Sequence, residues 1–66
     1  MSYTVIYKDK KEERELNGKY TIQNLLDDLD ISSETIVPKQ NGDIVVEESE
    51  IHDGDEIKTI QIIYGG

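Results

Sequence analysis

The sequence predicts an α+β fold in which one helix packs against a small β-sheet within a single domain. A chain of 66 residues hides only ~60% of the surface that its unfolded form exposes, so one simple core is expected. Residues 22–29 repeat their apolar side chains at helical spacing, whereas the stretches before and after them are rich in β-branched residues. Turn dipeptides separate these stretches: Asn17-Gly18, Asn41-Gly42 and Asp53-Gly54.

Residues 3–8 and 12–16 are predicted to form the first two strands. The first combines Tyr, Thr, Val and Ile, which are residue types enriched in strands. A polar turn at residues 9–11 separates it from the second, which is short and highly charged. Charged side chains suit a strand at the edge of a sheet, where they discourage pairing with another molecule.

The helix is predicted to follow Thr21, whose hydroxyl can accept a hydrogen bond from a free N–H of the first turn. Its apolar residues occupy positions i, i+3, i+4 and i+7, which share one face of a helix. They are Ile22, Leu25, Leu26 and Leu29. Asp27 and Asp28 fall on the other side. We therefore expect a helix over residues 22–30, ending near Asp30, with its apolar face in the core.

Residues 35–37 are predicted to begin a third strand. Pro38 has no N–H for the ladder, so the strand is expected to be irregular or to have an unpaired side there. Asn41-Gly42 is the strongest hairpin signal in the sequence, and residues 43–46 are expected to return from it. After the acidic loop at residues 47–50, Ile51 is expected to reach the core.

Residues 57–64 are predicted to form the last strand, because isoleucine recurs at positions 57, 60, 62 and 63. Strand alternation places residues 57, 59 and 61 on one face and residues 58, 60 and 62 on the other. Gly65 and Gly66 follow. Glycine has no side chain to bury and much backbone entropy to lose, so we expect a mobile tail. A tail without Cβ atoms can enter a narrow channel in a partner.

Composition excludes several classes of function. The chain has no cysteine, which rules out disulfides and thiolate zinc sites. Its net charge of −8 makes nucleic acid an unfavourable partner. No apolar run approaches the ~20 residues of a membrane span, and no signal-peptide pattern is present. We expect a cytoplasmic protein, without a membrane partner, that is monomeric when free.

The charges are unevenly distributed along the chain. Residues 1–19 hold five basic and four acidic residues, whereas residues 20–66 hold two basic and eleven acidic ones. The simpler interpretation is a solvated surface that favours solubility. The alternative is an acidic face that steers the domain toward a basic enzyme groove.

No residue pattern predicts catalysis or metal binding by this chain. His52 is the only histidine and lies in a polar turn region, where a solvated side chain is favoured over a general base. Glu47, Glu48 and Glu50 lack the spacing and the glycine of a calcium loop. There is also no glycine-rich phosphate loop, so we expect no bound cofactor.

The Asp53-Gly54-Asp55 turn, the isoleucine-rich strand and the terminal Gly-Gly resemble those of the ubiquitin-like sulfur carriers and small modifiers. This group includes the thiamine-pathway carrier ThiS, the MoaD subunit of molybdopterin synthase and small archaeal modifiers. The resemblance covers the whole chain and implies a β-grasp fold. In that fold, one helix crosses a mixed sheet of four or five strands, with the first and last strands parallel at its centre. Residues 1–64 would form the domain and residues 65–66 the tail.

The resemblance also implies a function for the tail. Gly66, preceded by Gly65, would be adenylated by a ubiquitin-activating-type enzyme that holds the ATP. It would then become a thiocarboxylate for thiamine, molybdopterin or tRNA thiolation. One alternative is a protein modifier joined through Gly66 to target lysines, and another is a ubiquitin-like binding module that is never conjugated. In the first two cases the domain is a co-substrate and not an enzyme.

Ile60 and Ile62 are the residues predicted to contact the partner. The resemblance matches Ile57 and Thr59 to inward positions and Ile60 to the outward patch that activating enzymes contact. An exposed isoleucine beside the tail would suit such an interface. The alternative is that Ile60 only covers the sheet or is an isolated apolar residue on the surface.

Overall fold

The computed structural model describes residues 1–62 and contains five strands and one helix. The elements in chain order are β1 Ser2–Tyr7, β2 Lys10–Glu15, α1 Ile22–Asp28, β3 Ile36–Gln40, β4 Asp43–Ile44 and β5 Glu56–Gln61. No helix in this part of the chain is long and apolar enough to cross a membrane.

The five strands form one mixed sheet in the order β2-β1-β5-β3-β4. The central strands β1 and β5 run parallel, and every other neighbouring pair is antiparallel. Parallel neighbours require a crossover connection, and the segment between them contains α1. The predicted α+β class and the β-grasp arrangement are confirmed.

The helix begins at the predicted cap. Thr21 Oγ1 accepts a hydrogen bond from the Asn24 N–H at 3.2 Å, and Asn24 Oδ1 accepts one from the Thr21 N–H at 3.0 Å. This reciprocal pair is a capping box that satisfies two free N–H groups. The helix ends at Asp28, and Asp30 adopts a positive φ of 57°. It therefore stops two residues before the end of the predicted range.

The core lies between α1 and the sheet face that the helix covers. Ile22, Leu25 and Leu26 from the helix are fully buried, as their spacing predicted. Ile51 is 3% exposed, which confirms that the chain returns to the core before the last turn. The remaining buried hydrophobic residues are Tyr3, Val5, Leu16, Ile36 and Ile57.

Two tight hairpins bring neighbouring strands together. Lys8 and Asp9 both have positive φ, 49° and 63°, and they form the two-residue turn between β1 and β2. The turn predicted at residues 9–11 therefore starts one residue earlier, and β2 begins at Lys10. Neither residue is a glycine, so this turn could not be predicted from a glycine signal. Asn41 and Gly42 form the predicted second hairpin, with φ of 53° and 91°.

Pro38 lies inside a regular strand, so of the two predicted possibilities the irregular strand is wrong, whereas the unpaired side is confirmed because the β3–β4 ladder includes only Lys39 and Gln40 of β3. It pairs with Thr59 in the β3–β5 ladder. Backbone groups alternate in direction along a strand, so the proline nitrogen faces the β4 side, where no donor is required. Its carbonyl accepts from the Val45 N–H at 3.1 Å. The paired β4 strand covers only Asp43–Ile44, which is shorter than the predicted residues 43–46.

Candidate partner-binding face of the sheet

The last strand alternates between a buried and an exposed face. Ile57 and Thr59 are 0% and 6% exposed, whereas Ile60 and Ile62 are 36% and 40% exposed. The Thr59 hydroxyl donates to the Ile6 carbonyl at 3.2 Å, which satisfies a polar group inside the core. The inward and outward assignments made from the sequence are therefore confirmed.

Strand register sorts the outer face, the side of the sheet away from α1, into rows that cross the strands. Directly opposite residues of neighbouring strands share a face. The row at the start of β5 is polar and contains Glu13, Thr4, Glu56 and Asn41. The next, here called the basic row, contains Lys11, Ile6, Lys58, Lys39 and Ile44. The third, the apolar row, pairs Val37 with Ile60, and Ile62 lies beyond it along the chain.

The apolar row and its neighbours form a partly exposed hydrophobic surface. Ile6 and Val37 are half-buried, Ile60 is on the same face, and Ile62, which is 40% exposed, follows the end of β5. A depression of about 340 Å³ lies beside Ile6, Lys58 and Ile60. Ile60 is therefore part of a continuous surface and is not an isolated apolar residue.

The basic row gives this surface a charge opposite to that of the whole chain. Lys39 and Lys58 stand directly opposite each other in the β3–β5 ladder. The acidic side chains of Asp27 and Asp28 are on the helix instead, and residues 47–50 form an acidic loop. If the chain has an acidic face, it is not the face that carries Ile60.

The turn before β5 is attached to the first strand by three hydrogen bonds. The Gly54 N–H donates to the Ser2 carbonyl at 2.8 Å, and the Ser2 N–H donates to Asp53 Oδ1 at 2.9 Å. The Thr4 N–H donates to the Asp55 carbonyl at 2.9 Å. Gly54 has a φ of 83°, which only glycine adopts without strain. These contacts fix the point at which β5 starts.

The Asp55 carboxylate holds the same turn against the β3–β4 hairpin. It accepts hydrogen bonds from Asn41 Nδ2 at 2.9 Å, from the His52 N–H at 2.8 Å and from Gln40 Nε2. Burial acts to raise the pKa of Asp55, but these hydrogen bonds to the charged form outweigh it. The pKa of Asp55 is therefore lowered. A charged Asp55 stabilises the start of the strand that leads to the chain end.

A second depression, of about 390 Å³, lies on the helix side of the sheet next to β2. The rings of Tyr3 and Tyr20 lie 6.1 Å apart there, and the Tyr20 hydroxyl donates to the Asp28 carboxylate. Burial and this hydrogen bond raise the pKa of Tyr20. Arg14 Nη2 lies 3.9 Å from Asp28 Oδ2, which makes an ion pair. These contacts connect β1, β2 and the helix, so a structural role accounts for them.

The structure brings some predicted site residues together and leaves others untested. Ile60 is on the outer face and the exposed Ile62 follows the end of β5, whereas Gly65 and Gly66 lie outside the described residues. His52 is exposed, and its backbone N–H serves the turn. Over residues 1–62, the His, Asp and Glu side chains form no group of three or more that could hold a metal ion.

Sequence reasoning missed three members of the outer face, Ile6, Val37 and Lys39, and it placed Lys58 on the same face as Ile60 without assigning it a role. The alternation of Val37 and Lys39 along β3 was visible in the sequence. The register that aligns them with β5 was not.

Comparison with known proteins gives a family match and a fold match. A family model described as the ThiS family matches residues 3–66. The crystal structure of a thiamine biosynthesis protein (ThiS) from Geobacter metallireducens matches with a TM-score of 0.73 at 21% identity, covering 100% of both chains. That of SAMP1 from Haloferax volcanii matches with a TM-score of 0.70 at 16% identity, covering 98% of this chain and 97% of that one. At such identities the structural likeness establishes the fold alone.

Proposed function

The chain belongs to the ThiS family of ubiquitin-like proteins, and from this membership we propose that it is a sulfur carrier whose reactive group is the Gly66 carboxylate. The observation that carries the proposal is the extent of the family match, which runs through residue 66 and includes both terminal glycines. The domain then acts as a co-substrate that a partner enzyme recognises and activates.

The chemistry needs activation because a free carboxylate is a poor electrophile. A carboxylate oxygen of Gly66 attacks the α-phosphorus of ATP on the partner, forming an acyl-adenylate and releasing pyrophosphate. A sulfur nucleophile at the oxidation state of hydrosulfide then attacks the acyl carbon. The new C–S bond replaces the C–O bond to AMP, which leaves, and one proton is lost. The product is a thiocarboxylate. The absence of cysteine from this chain fits a scheme in which partners supply the sulfur.

This domain contributes recognition and positioning. The turn at residues 53–55 fixes the start of β5 against β1, and β5 continues within the sheet to Gln61. The apolar row lies at the end of that strand. A partner that binds Val37 and Ile60 would therefore hold the last described part of the chain. Such positioning raises the effective concentration of the carboxylate at the ATP site.

Deletion of Gly66 is the direct test. With the host's ubiquitin-activating-type enzyme, we expect the deletion to abolish Gly66-dependent ATP–pyrophosphate exchange while leaving the melting temperature nearly unchanged. Asn17→Ala, at an exposed loop position, serves as the control and should exchange normally. Normal exchange by the truncated protein would show that the reactive group lies elsewhere.

Mass spectrometry of the protein isolated from its own host distinguishes the two fates of an activated tail. A carrier shows one oxygen replaced by sulfur at Gly66, and the change is lost on mild hydrolysis. A modifier instead leaves Gly-Gly on lysines of other proteins after digestion. Lysine adducts without any thiocarboxylate would contradict the carrier proposal. If neither product is detected in a host that contains the activating enzyme, the unconjugated binding module is the function that remains.

A further inference from the structure

The basic row carries an electrostatic cost that the fold itself does not relieve. Lys39 and Lys58 are directly opposite in an antiparallel ladder, where Cβ atoms lie about 4.5–5.5 Å apart and like charges destabilise the pair. The chain has 15 acidic residues and seven basic ones, so acidic residues that could pair with these two lysines are not scarce. Two lysines nevertheless face each other at the centre of the outer face.

No ion pair within residues 1–62 neutralises these two lysines. The ion pairs in this part of the chain are Arg14 with Asp28 and Lys19 with Glu50. Glu13 and Glu56 belong to the neighbouring polar row, on either side of Thr4. Asp9 borders the depression beside Lys58, as does Lys8. The basic row therefore presents positive charge to the solvent on a protein that is otherwise acidic.

Apolar residues adjoin the two lysines on two sides. Ile6 lies next to Lys58 in the basic row, and Ile60 follows it on β5. The depression between them is open to solvent and partly apolar. A partner with an apolar side chain in this depression and carboxylates over the lysines would satisfy both features. Anionic lipid and nucleic acid fit less well, because the remaining surface of a chain of net charge −8 would repel them.

We propose that the basic row binds an acidic surface of the enzyme that activates Gly66, with partner carboxylates opposite Lys39 and Lys58 and an apolar partner side chain beside Ile6 and Ile60. This inference rests on the proposed function. It reverses the alternative interpretation of the composition, in which an acidic face of the domain meets a basic groove. The charges that meet the enzyme are those of the face that contacts it, next to the end of β5, and not the net charge of the chain.

The test uses variants matched in net charge. Lys39→Glu combined with Lys58→Glu changes the basic row, whereas Lys10→Glu combined with Lys19→Glu makes the same change in net charge outside it. Affinity for the host's purified ubiquitin-activating-type enzyme is measured by calorimetry without ATP, and Gly66 adenylation is measured separately. We expect the basic-row variant to lose at least about tenfold in affinity, equivalent to about 1.4 kcal/mol. The control should lose less than about threefold.

Salt dependence and stability supply independent measurements. Raising salt from about 0.01 M to about 0.15 M shortens the Debye length from about 30 Å to about 8 Å. The affinity of the unsubstituted protein should fall over this range, and that of the basic-row variant should not. Lys58→Glu alone, which places a carboxylate opposite Lys39, should raise the melting temperature while weakening binding. A merely structural role for Lys58 would not produce opposite changes in stability and affinity.

The outcomes separate this inference from the proposed function. If Gly66 is adenylated but both double variants bind alike, the basic row is not the interface and the carrier proposal stands. If the basic-row variant alone loses binding and Gly66 is never adenylated, the surface assignment stands and the carrier proposal fails. If the unsubstituted protein neither binds nor is adenylated, both are overturned. Melting curves of each variant confirm that it is folded. If the basic-row variant is unfolded, Lys39→Gln combined with Lys58→Gln replaces it in both measurements.

Discussion

The inner and outer faces of β5 carry the same residue type in opposite circumstances. Ile57 is fully buried beneath the helix, whereas Ile60, three residues later, is 36% exposed on the other side of the sheet. Around Ile57 the neighbours are apolar, and the one buried hydroxyl, that of Thr59, has a hydrogen-bond partner. Around Ile60 the neighbours include two opposed lysines. The residues of the inner face are those that a packed core requires. The opposed lysines of the outer face, by contrast, do not favour folding.

This contrast identifies where function is to be sought in a small domain. Each inner residue is accounted for by core packing, and its replacement should change stability. The opposed Lys39 and Lys58 are unfavourable for folding and have no structural partner among the described residues. Such departures are expected where a surface serves a partner. The comparison therefore predicts that inner substitutions act on stability and outer ones act on binding.

The largest expected effect is on the inner face. Ile57→Ala should lower the free energy of unfolding by roughly 2–5 kcal/mol, because it removes fully buried methyl and methylene groups and leaves a cavity. Ile60→Ala, the same change in the same strand, should cost about 1 kcal/mol or less. Urea denaturation of the two variants provides the measurement. Equal losses would show that the outer isoleucine is as important to folding as the inner one.

The next largest effect should appear in binding to the activating enzyme. Ile60→Asp should weaken it by more than about 1.4 kcal/mol, a factor of ten, because a carboxylate would enter the apolar row. Val46→Asp, at a 60% exposed position outside the rows of the outer face, is the matched control. Calorimetry measures both affinities. An unchanged affinity for Ile60→Asp removes this residue from the interface, and an unfolded protein would show that Ile60 is needed for the fold.

The smallest expected effect is on stability and concerns Asp55, in the turn that precedes β5. Asp55→Asn should cost about 0.5–1.5 kcal/mol at neutral pH, the net value of one hydrogen bond. The pKa of Asp55 is lowered by folding, so its contribution is complete above the ordinary value of 3.8 and is lost as the pH falls through the folded value. The difference between the two proteins should therefore disappear in acid.

Thermal melts of both proteins from neutral pH into acid test this dependence. Asp43→Asn, at an exposed hairpin position, should stay within about 0.5 kcal/mol of the unsubstituted protein, as surface changes usually do. A difference for Asp55→Asn that persists at low pH would show that the charge of Asp55 is not the cause.

Local sequence determined the elements of the fold and their order. The spacing of Ile22, Leu25 and Leu26 predicted the helix and its buried face, because a period of 3.6 residues allows only one apolar side. The Asn41-Gly42 dipeptide predicted its hairpin, because both turn residues need positive φ. The alternation of β5 predicted that Ile60 lies on the face opposite to Ile57 and Thr59, and the family resemblance assigned Ile60 to the outer one. The hairpin at Lys8 and Asp9 and the regular strand through Pro38 were less predictable, since tertiary pairing sets those conformations.

The tertiary structure alone decided which residues meet on the outer face. Period-two alternation assigns each side chain to a face but does not fix how far one strand is shifted along its neighbour. Lys39 and Lys58 are 19 positions apart in sequence, and they become opposite only because the β3–β5 ladder pairs them. That register follows from the hairpin, the Asp55 hydrogen bonds and the buried faces acting together. The charge presented beside Ile60 is therefore a property of strand pairing and not of composition.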